Sequence, residues 1–268
     1  MTLRATDHAV ATAAGRLFAR RWHPPAAHER GSAIVLFHDS LGSVELWRDF
    51  PGRLAAVTGR AVVAYDRLGF GRSGARAGPL PPTFVRDEAE DVVPRLRAAL
   101  GLDAIVPFGH SVGGAMAIAT AARWPEHCTA AVTMSAQSFV EEATLAGIRA
   151  ARAEFARPEQ FARVARRHGE RARWVLDAWI ETWLDPAFAD WRLDDDLRRV
   201  SCPVLAMHGD RDEFGSVEHA RRIARLAGGA SRLLILEGCG HVPHREQPAR
   251  VLDAVARFLA PIEPGPLA

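Results

Sequence analysis

Residues 105–114 read IVPFGHSVGG. The stretch opens as an apolar, β-branched run of the kind that forms a buried strand. It closes in Gly109-His110-Ser111-Val112-Gly113, a match to GxSxG. Ala115-Met116-Ala117-Ile118-Ala119 follows directly and reads as a small-residue helix buried in the core. A strand that turns at once into a helix forces its central residue into a strained conformation. Glycines two positions before and after that residue remove the Cβ atoms that would collide. The pattern predicts a sharp elbow with Ser111 exposed at its tip. It also places the Val112 amide at a helix N-terminus, where an unpaired N–H receives a developing oxyanion.

Working outward, AIVLFHD at 33–39 and AVVAYD at 61–66 are near-continuous apolar runs, the mark of strands buried on both faces. The spacing of Leu46, Trp47, Phe50, Leu54 and Val57 predicts a helix over 44–57. A second helix is expected over 84–100 with a kink at Pro94, and another strand over 130–134. The short alternating material within 9–22, ending in GRLFARRW, suits an early antiparallel pairing. The alternation resumes with PVLAMH at 203–208, a helix over 217–227, a strand over 232–237 and a helix over 247–259. The final PIEPGPLA reads as a frayed end. Strands alternating with helices predict a parallel sheet covered on both faces. Between 136 and 200 the rhythm breaks: no buried strand is visible, and helices are expected over 141–155 and 173–184. Trp174, Trp179, Trp183 and Trp191 all fall in this stretch. The expected division is a core of residues 1–135 and 201–268 with a helical cap inserted at 136–200.

At 268 residues and 48% hydrophobic content the chain is long enough to bury a sizeable core. The N-terminal MTLRATDHAV lacks a secretory pattern, and no apolar run approaches the roughly 20 residues of a membrane span. A cytoplasmic protein that does not enter a membrane is the expectation. A net charge of +2 gives no reason to expect nucleic acid. All 34 basic residues are arginine, so lysine Schiff-base chemistry and a P-loop lysine are closed to this chain. Cys128, Cys202 and Cys239 are odd in number and widely spaced, which suits buried thiols better than bridges or metal ligands. No cofactor or metal is expected.

A serine hydroxyl is a poor nucleophile at neutral pH and needs a base to take its proton and an acid to orient that base. Both should lie at the carboxyl ends of neighbouring strands. After PVLAMH comes Gly209-Asp210-Arg211-Asp212, and after LLILEG comes Cys239-Gly240-His241, in the order Ser, Asp, His that the elbow motif predicts. Asp210 competes with Asp212 for the acid, and His244 competes with His241 for the base.

With HDSLGS at 38–43, YDRLGFGRS at 65–73, GHSVGG at 109–114, HGDRDE at 208–213 and GCGHVPHREQP at 238–248, the chain resembles the α/β-hydrolase superfamily over nearly its whole length. The resemblance implies an α/β fold with a mostly parallel eight-stranded sheet, helices on both faces and a helical cap. It assigns Ser111, Asp212 and His241 as the triad, through GxxD and GHxxxxExP elements. It also assigns the amides of Ser40 and Val112 as the oxyanion hole. In that family the residue before the Ser40 position is usually glycine; here it is Asp39, a residue type that tolerates positive φ better than most. His110 is expected to point away from the nucleophile as a packing residue. Asp66 and Arg67 are expected to make turn bonds or an ion pair.

Relatives that dehalogenate alkanes or open epoxides use an aspartate nucleophile, and plant-type hydroxynitrile lyases rely on a lysine; neither fits this chain. Acyl transfer from a small carboxylic ester to water is the expected reaction. A thioester, a carbon–carbon bond or perhydrolysis is the alternative, and a non-catalytic small-ligand receptor is the alternative of another class. Trp174, Trp179 and Trp183 are candidates to roof an apolar acyl pocket, although tryptophans at helical spacing more often form the cap's own core. Eight arginines between Arg149 and Arg173 suit a solvated helix face, with docking of an anionic carrier, coenzyme A or an acyl carrier protein, as the alternative.

Overall fold

The computed structural model describes residues 3–25 and 31–262. Residues 263–268, most of the stretch expected to fray, lie outside the described residues. The strands are β1 Ala5–Thr12, β2 Gly15–Trp22, β3 Ala33–Phe37, β4 Val62–Asp66, β5 Ile105–His110, β6 Ala131–Met134, β7 Val204–Gly209 and β8 Ser231–Leu236. They form one sheet in the order β1-β2-β4-β3-β5-β6-β7-β8. β2 pairs antiparallel with β1 and with β4, and every other pairing is parallel.

The apolar runs are continuous because side chains alternate between two covered faces. Along β3, Ile34 and Leu36 enter one core while Val35 and Phe37 enter the other. The first core takes in α1 (Phe50–Thr58) and α11 (Pro248–Leu259), which pack on each other. The second takes in α2 (Phe84–Asp87), α3 (Val93–Leu100), α4 (Val112–Arg123) and α9 (Glu218–Leu226). Each fully buried Leu, Ile or Phe contributes about 1.5–3 kcal/mol relative to exposure, so the central strands are anchored by apolar burial on both faces.

The helix expected over 84–100 is broken differently from the expectation. One wide π turn, Glu88–Val92, separates α2 from α3. Pro94 sits in the first turn of α3, where its missing N–H costs nothing. Likewise 44–57 is a 3-10 turn, Val44–Trp47, and then α1, divided at Arg48, which has φ 54°.

Between β6 and β7 lie α5 (Glu142–Phe155), α6 (Pro158–His168) and α7 (Ala172–Leu184), packed on one another. α8 (Asp194–Arg199) returns to α4 and α9. α6 was not anticipated: only Val164 and His168 on it are buried, a stripe too narrow to stand out among its arginines. The positive charge of this region is mostly matched. Arg149 pairs with Glu142, Arg152 with Glu181, Arg157 with Glu154, Arg167 with Glu45 and Arg173 with Asp177. Arg171 is tied to the carbonyls of Ser73 and Gly71. Among the described residues no helix is long and apolar enough to cross a membrane.

Candidate active site

Ser111 stands between β5 and α4 with φ 57° and ψ −129°, a conformation that costs a non-glycine residue strain energy. Its amide donates to the Met134 carbonyl of β6 at 2.9 Å, which fixes the elbow to the neighbouring strand. A Cβ on Gly109 would run into the carbonyl of Gly113, and one on Gly113 into the carbonyl of Phe37. The two glycines are required by close backbone approach.

The expectation that Ser111 is exposed is corrected: it retains 5% of its accessible surface. The helices between β6 and β7 roof it over, so the hydroxyl opens into a chamber of about 260 Å³ instead of bulk water. Leu41, Ile148, Phe155, Trp179, Trp183 and Phe214 supply its apolar wall. Trp174 is not among the lining residues. Its ring packs on Phe70, and its Nε1–H donates to the Gly78 carbonyl at 2.8 Å, pinning α7 to the loop after β4.

Asp212 and His241 are brought together. Nδ1 of His241 lies 2.8 Å from both carboxylate oxygens of Asp212, whose side chain is fully buried. The carboxylate also accepts from the Phe214 amide at 2.8 Å and faces Nε2 of His208 at 3.2 Å. Burial alone pushes its pKa up, but the bonds from His208 and His241 outweigh burial and hold it well below the usual carboxylate range. Asp210 instead accepts from the Gly238 amide at 2.7 Å and makes no contact with the imidazole. His244 is buried against Trp47 and Phe50, where loss of hydration pushes its pKa well down. Glu246 accepts from the amides of Gly240 and Val242 at 2.7 and 3.0 Å and so clamps the His241 loop from both sides.

Ser111 opens into the same chamber as His241. The Ser111 hydroxyl donates to Oε1 of Gln137 at 3.2 Å, and no hydrogen bond joins it to His241. Gln137 lies three residues past β6, at the carboxyl end of the strand beside the elbow strand, and is buried. The sequence reading missed it. Its one signal is a polar residue just after the end of a buried strand.

The loop after β3 differs from expectation. Positive φ among described non-glycine residues is confined to Arg48, Ser111 and Ser135, so Asp39 does not occupy a left-handed conformation. Its carboxylate instead accepts from the Leu41 amide at 2.9 Å and faces Nδ1 of His110 at 3.2 Å. Burial raises the Asp39 pKa, and the bond to His110 reverses that and carries it far below normal. The Asp39 carbonyl accepts from His38 Nδ1 at 2.7 Å and from Arg67 at 2.9 Å. In a trans peptide the next N–H points the opposite way, so the Ser40 amide is turned away from His38 and Arg67, and Ser40 lines the chamber. Val112 opens α4, and its amide is one of the first-turn N–H groups without a helical acceptor.

His110 does more than pack. Its Nε2–H donates to the His241 carbonyl at 2.7 Å, linking Asp39, the elbow and the His241 loop. Asp66 makes turn bonds, accepting from the amides of Val44 and Arg72 at 2.6 and 2.7 Å. The three cysteines are free and buried, and burial pushes the thiols of Cys202 and Cys239 up to about 11. Among the described residues no three metal-ligating side chains converge.

The family model described as alpha/beta hydrolase family matches residues 34–254. Serine hydrolase BPHL of Homo sapiens is 28% identical over 233 residues, covering 81% of this chain and 75% of that protein. The 1-acylglycerol-3-phosphate O-acyltransferase ABHD5 of Sus scrofa is 33% identical over 113 residues, 42% of this chain, so the match spans about a third (32%) of that relative's length. Among solved structures, a membrane phospholipase A described as a bacterial virulence factor aligns with TM-score 0.77 at 21% identity. The alignment covers 96% of this chain and 86% of that one, and at that identity it speaks to the fold alone.

Proposed function

The chain belongs to the alpha/beta hydrolase family, and from that premise we propose that it is a serine hydrolase cleaving a small carboxylic ester through an acyl-enzyme. The observation that carries this reading is the 2.8 Å contact between Asp212 and His241 Nδ1 beside a strained Ser111 in one chamber. With Nδ1–H committed to Asp212, Nε2 of His241 is left as the acceptor. The Ser111 hydroxyl turns from Gln137 to that nitrogen when substrate enters, a tightening common between free and substrate-bound sites. Its oxygen attacks the ester carbon as His241 takes the proton. The amides of Ser40 and Val112 receive the oxyanion. Collapse expels the alcohol, protonated by His241. Water then attacks the acyl-enzyme by the same route, releasing the acid and restoring Ser111. Helices α5 to α7 serve as the lid that keeps this chemistry in a low-dielectric space, which makes residues 136–200 a cap on a core of 1–135 and 201–268.

A chamber of about 260 Å³ lies just below the usual 300–1,000 Å³ range of ligand pockets. Short acyl groups are therefore favoured. The test is a panel of p-nitrophenyl esters from acetate to laurate, run beside acetyl and decanoyl thioesters of coenzyme A. The expected outcome is a kcat/KM maximum at acetate to butyrate with thioesters slower. A maximum at laurate, or faster thioester cleavage, would overturn the substrate assignment, and no turnover of any member would overturn the reaction class.

A further inference from the structure

The charged groups on the chamber wall can be accounted for one by one. The Asp39 carboxylate is spent on Leu41 and His110, and His110 is spent on the His241 carbonyl. The Thr144 hydroxyl donates to the Phe214 carbonyl at 2.8 Å. Ser111, His241 and the oxyanion amides belong to the reaction proposed above. The charge left over is the guanidinium of Arg245, which lines the same chamber as Ser111 and His241.

Arg245 sits on α10 (Pro243–Glu246), four residues past His241, and is exposed at the chamber mouth. A guanidinium carries five N–H donors. Here one nitrogen, Nη2, donates to the Leu46 carbonyl at 2.6 Å, and among the described residues no carboxylate lies within ion-pair distance. Its charged surroundings explain why this matters. Arg48 and Arg167 act against its charge and Asp39 favours it, while the Asp39 carboxylate already faces His110. Arg167 shares Glu45 at 3.3 Å. Partial burial and the like charges of Arg48 and Arg167 both work against the Arg245 cation. An arginine at the mouth of an apolar chamber, with no protein carboxylate on it, has N–H donors free to pair with an anion.

We infer that the substrate is an ester that also carries an ionised carboxylate, seated on Arg245 at the mouth while the ester carbon meets Ser111. A half-ester of a short dicarboxylic acid has this form. The guanidinium on the wall matches a single negative charge and the planar two-oxygen edge of a carboxylate. The small chamber keeps the two ends of such a molecule only a few carbons apart.

The reaction half of this inference rests on the ester-hydrolase reading; the binding half does not, so the two are tested separately. Monomethyl glutarate and dimethyl glutarate share a carbon skeleton and differ in charge. In the wild type, kcat/KM for the half-ester is expected to exceed that for the diester by about tenfold or more, the range for a hydrogen bond between charged groups. The ratio of the two values should fall toward unity in Arg245→Met and be partly restored in Arg245→Lys. Binding to the Ser111→Ala protein, followed by isothermal titration calorimetry, should rank the two ligands in the same order without any turnover. Equal or better use of the diester by the wild type overturns the inference, as does an unchanged ratio in Arg245→Met. Should neither ester be cleaved, the hydrolase reading fails on its own, and equal binding of the two ligands to Ser111→Ala ends the binding half as well.

Discussion

Ser111→Ala abolishes ester turnover, with a fall in kcat of about a million-fold, the size seen when a triad nucleophile is removed from a serine protease. The loss should be confined to chemistry. The side chain makes one hydrogen bond, to Gln137 at 3.2 Å, and such a bond contributes about 1 kcal/mol net. Alanine keeps a Cβ at φ 57°, so the elbow strain is neither relieved nor increased. A melting temperature within a few degrees of the wild type, measured on the same preparation, separates lost chemistry from lost fold. Retention of more than a few per cent of activity would place the nucleophile elsewhere.

The second large effect concerns the acid. Asp212→Asn preserves shape but offers Nδ1 of His241 an amide in place of a carboxylate, which favours the wrong tautomer. The expected loss in kcat is on the order of 10⁴. Asp210→Asn should cost at most about tenfold, because its carboxylate ties only the Gly238 amide. The same substitution has a stability signature. The native pKa of Asp212 is held below its unfolded value, so its ionised form adds stability that is fully present above about pH 4 and drains away as pH falls below that. Wild-type thermal stability should therefore drop through the range below pH 4, and Asp212→Asn should lessen that acid drop. An Asp210→Asn variant with the larger loss in kcat would reverse the assignment of the acid.

The parts of the site that were readable from the chain are those whose requirement is local. The elbow needs glycines at 109 and 113 because backbone meets backbone there, and that need is written at fixed offsets from Ser111. Asp212 and His241 follow strands whose apolar runs are themselves visible, so their arrival at one end of the sheet could be anticipated. Gln137 was not readable, because its meeting with Ser111 depends on β6 lying beside β5, a fact of sheet order and not of spacing. The same holds for Asp39, whose partner His110 is distant in sequence. Trp174 was misread for a reason the sequence does contain. At 100° per residue, Trp179 and Trp183 fall on nearly one face of α7, while Trp174, five residues before Trp179, is turned away by about 140°. The buried state of Ser111 was hidden because it depends on how the helices between β6 and β7 settle over the sheet.

The central claim is that Ser111 is a nucleophile activated by His241, and covalent trapping tests it most directly. The protein is incubated with a small alkyl fluorophosphonate and its intact mass and peptides are measured. The account predicts one phosphonyl group per chain, on the peptide containing Ser111, absent in Ser111→Ala and strongly slowed in His241→Ala. No adduct, an adduct on another residue, or undiminished labelling of the His241→Ala protein would contradict it.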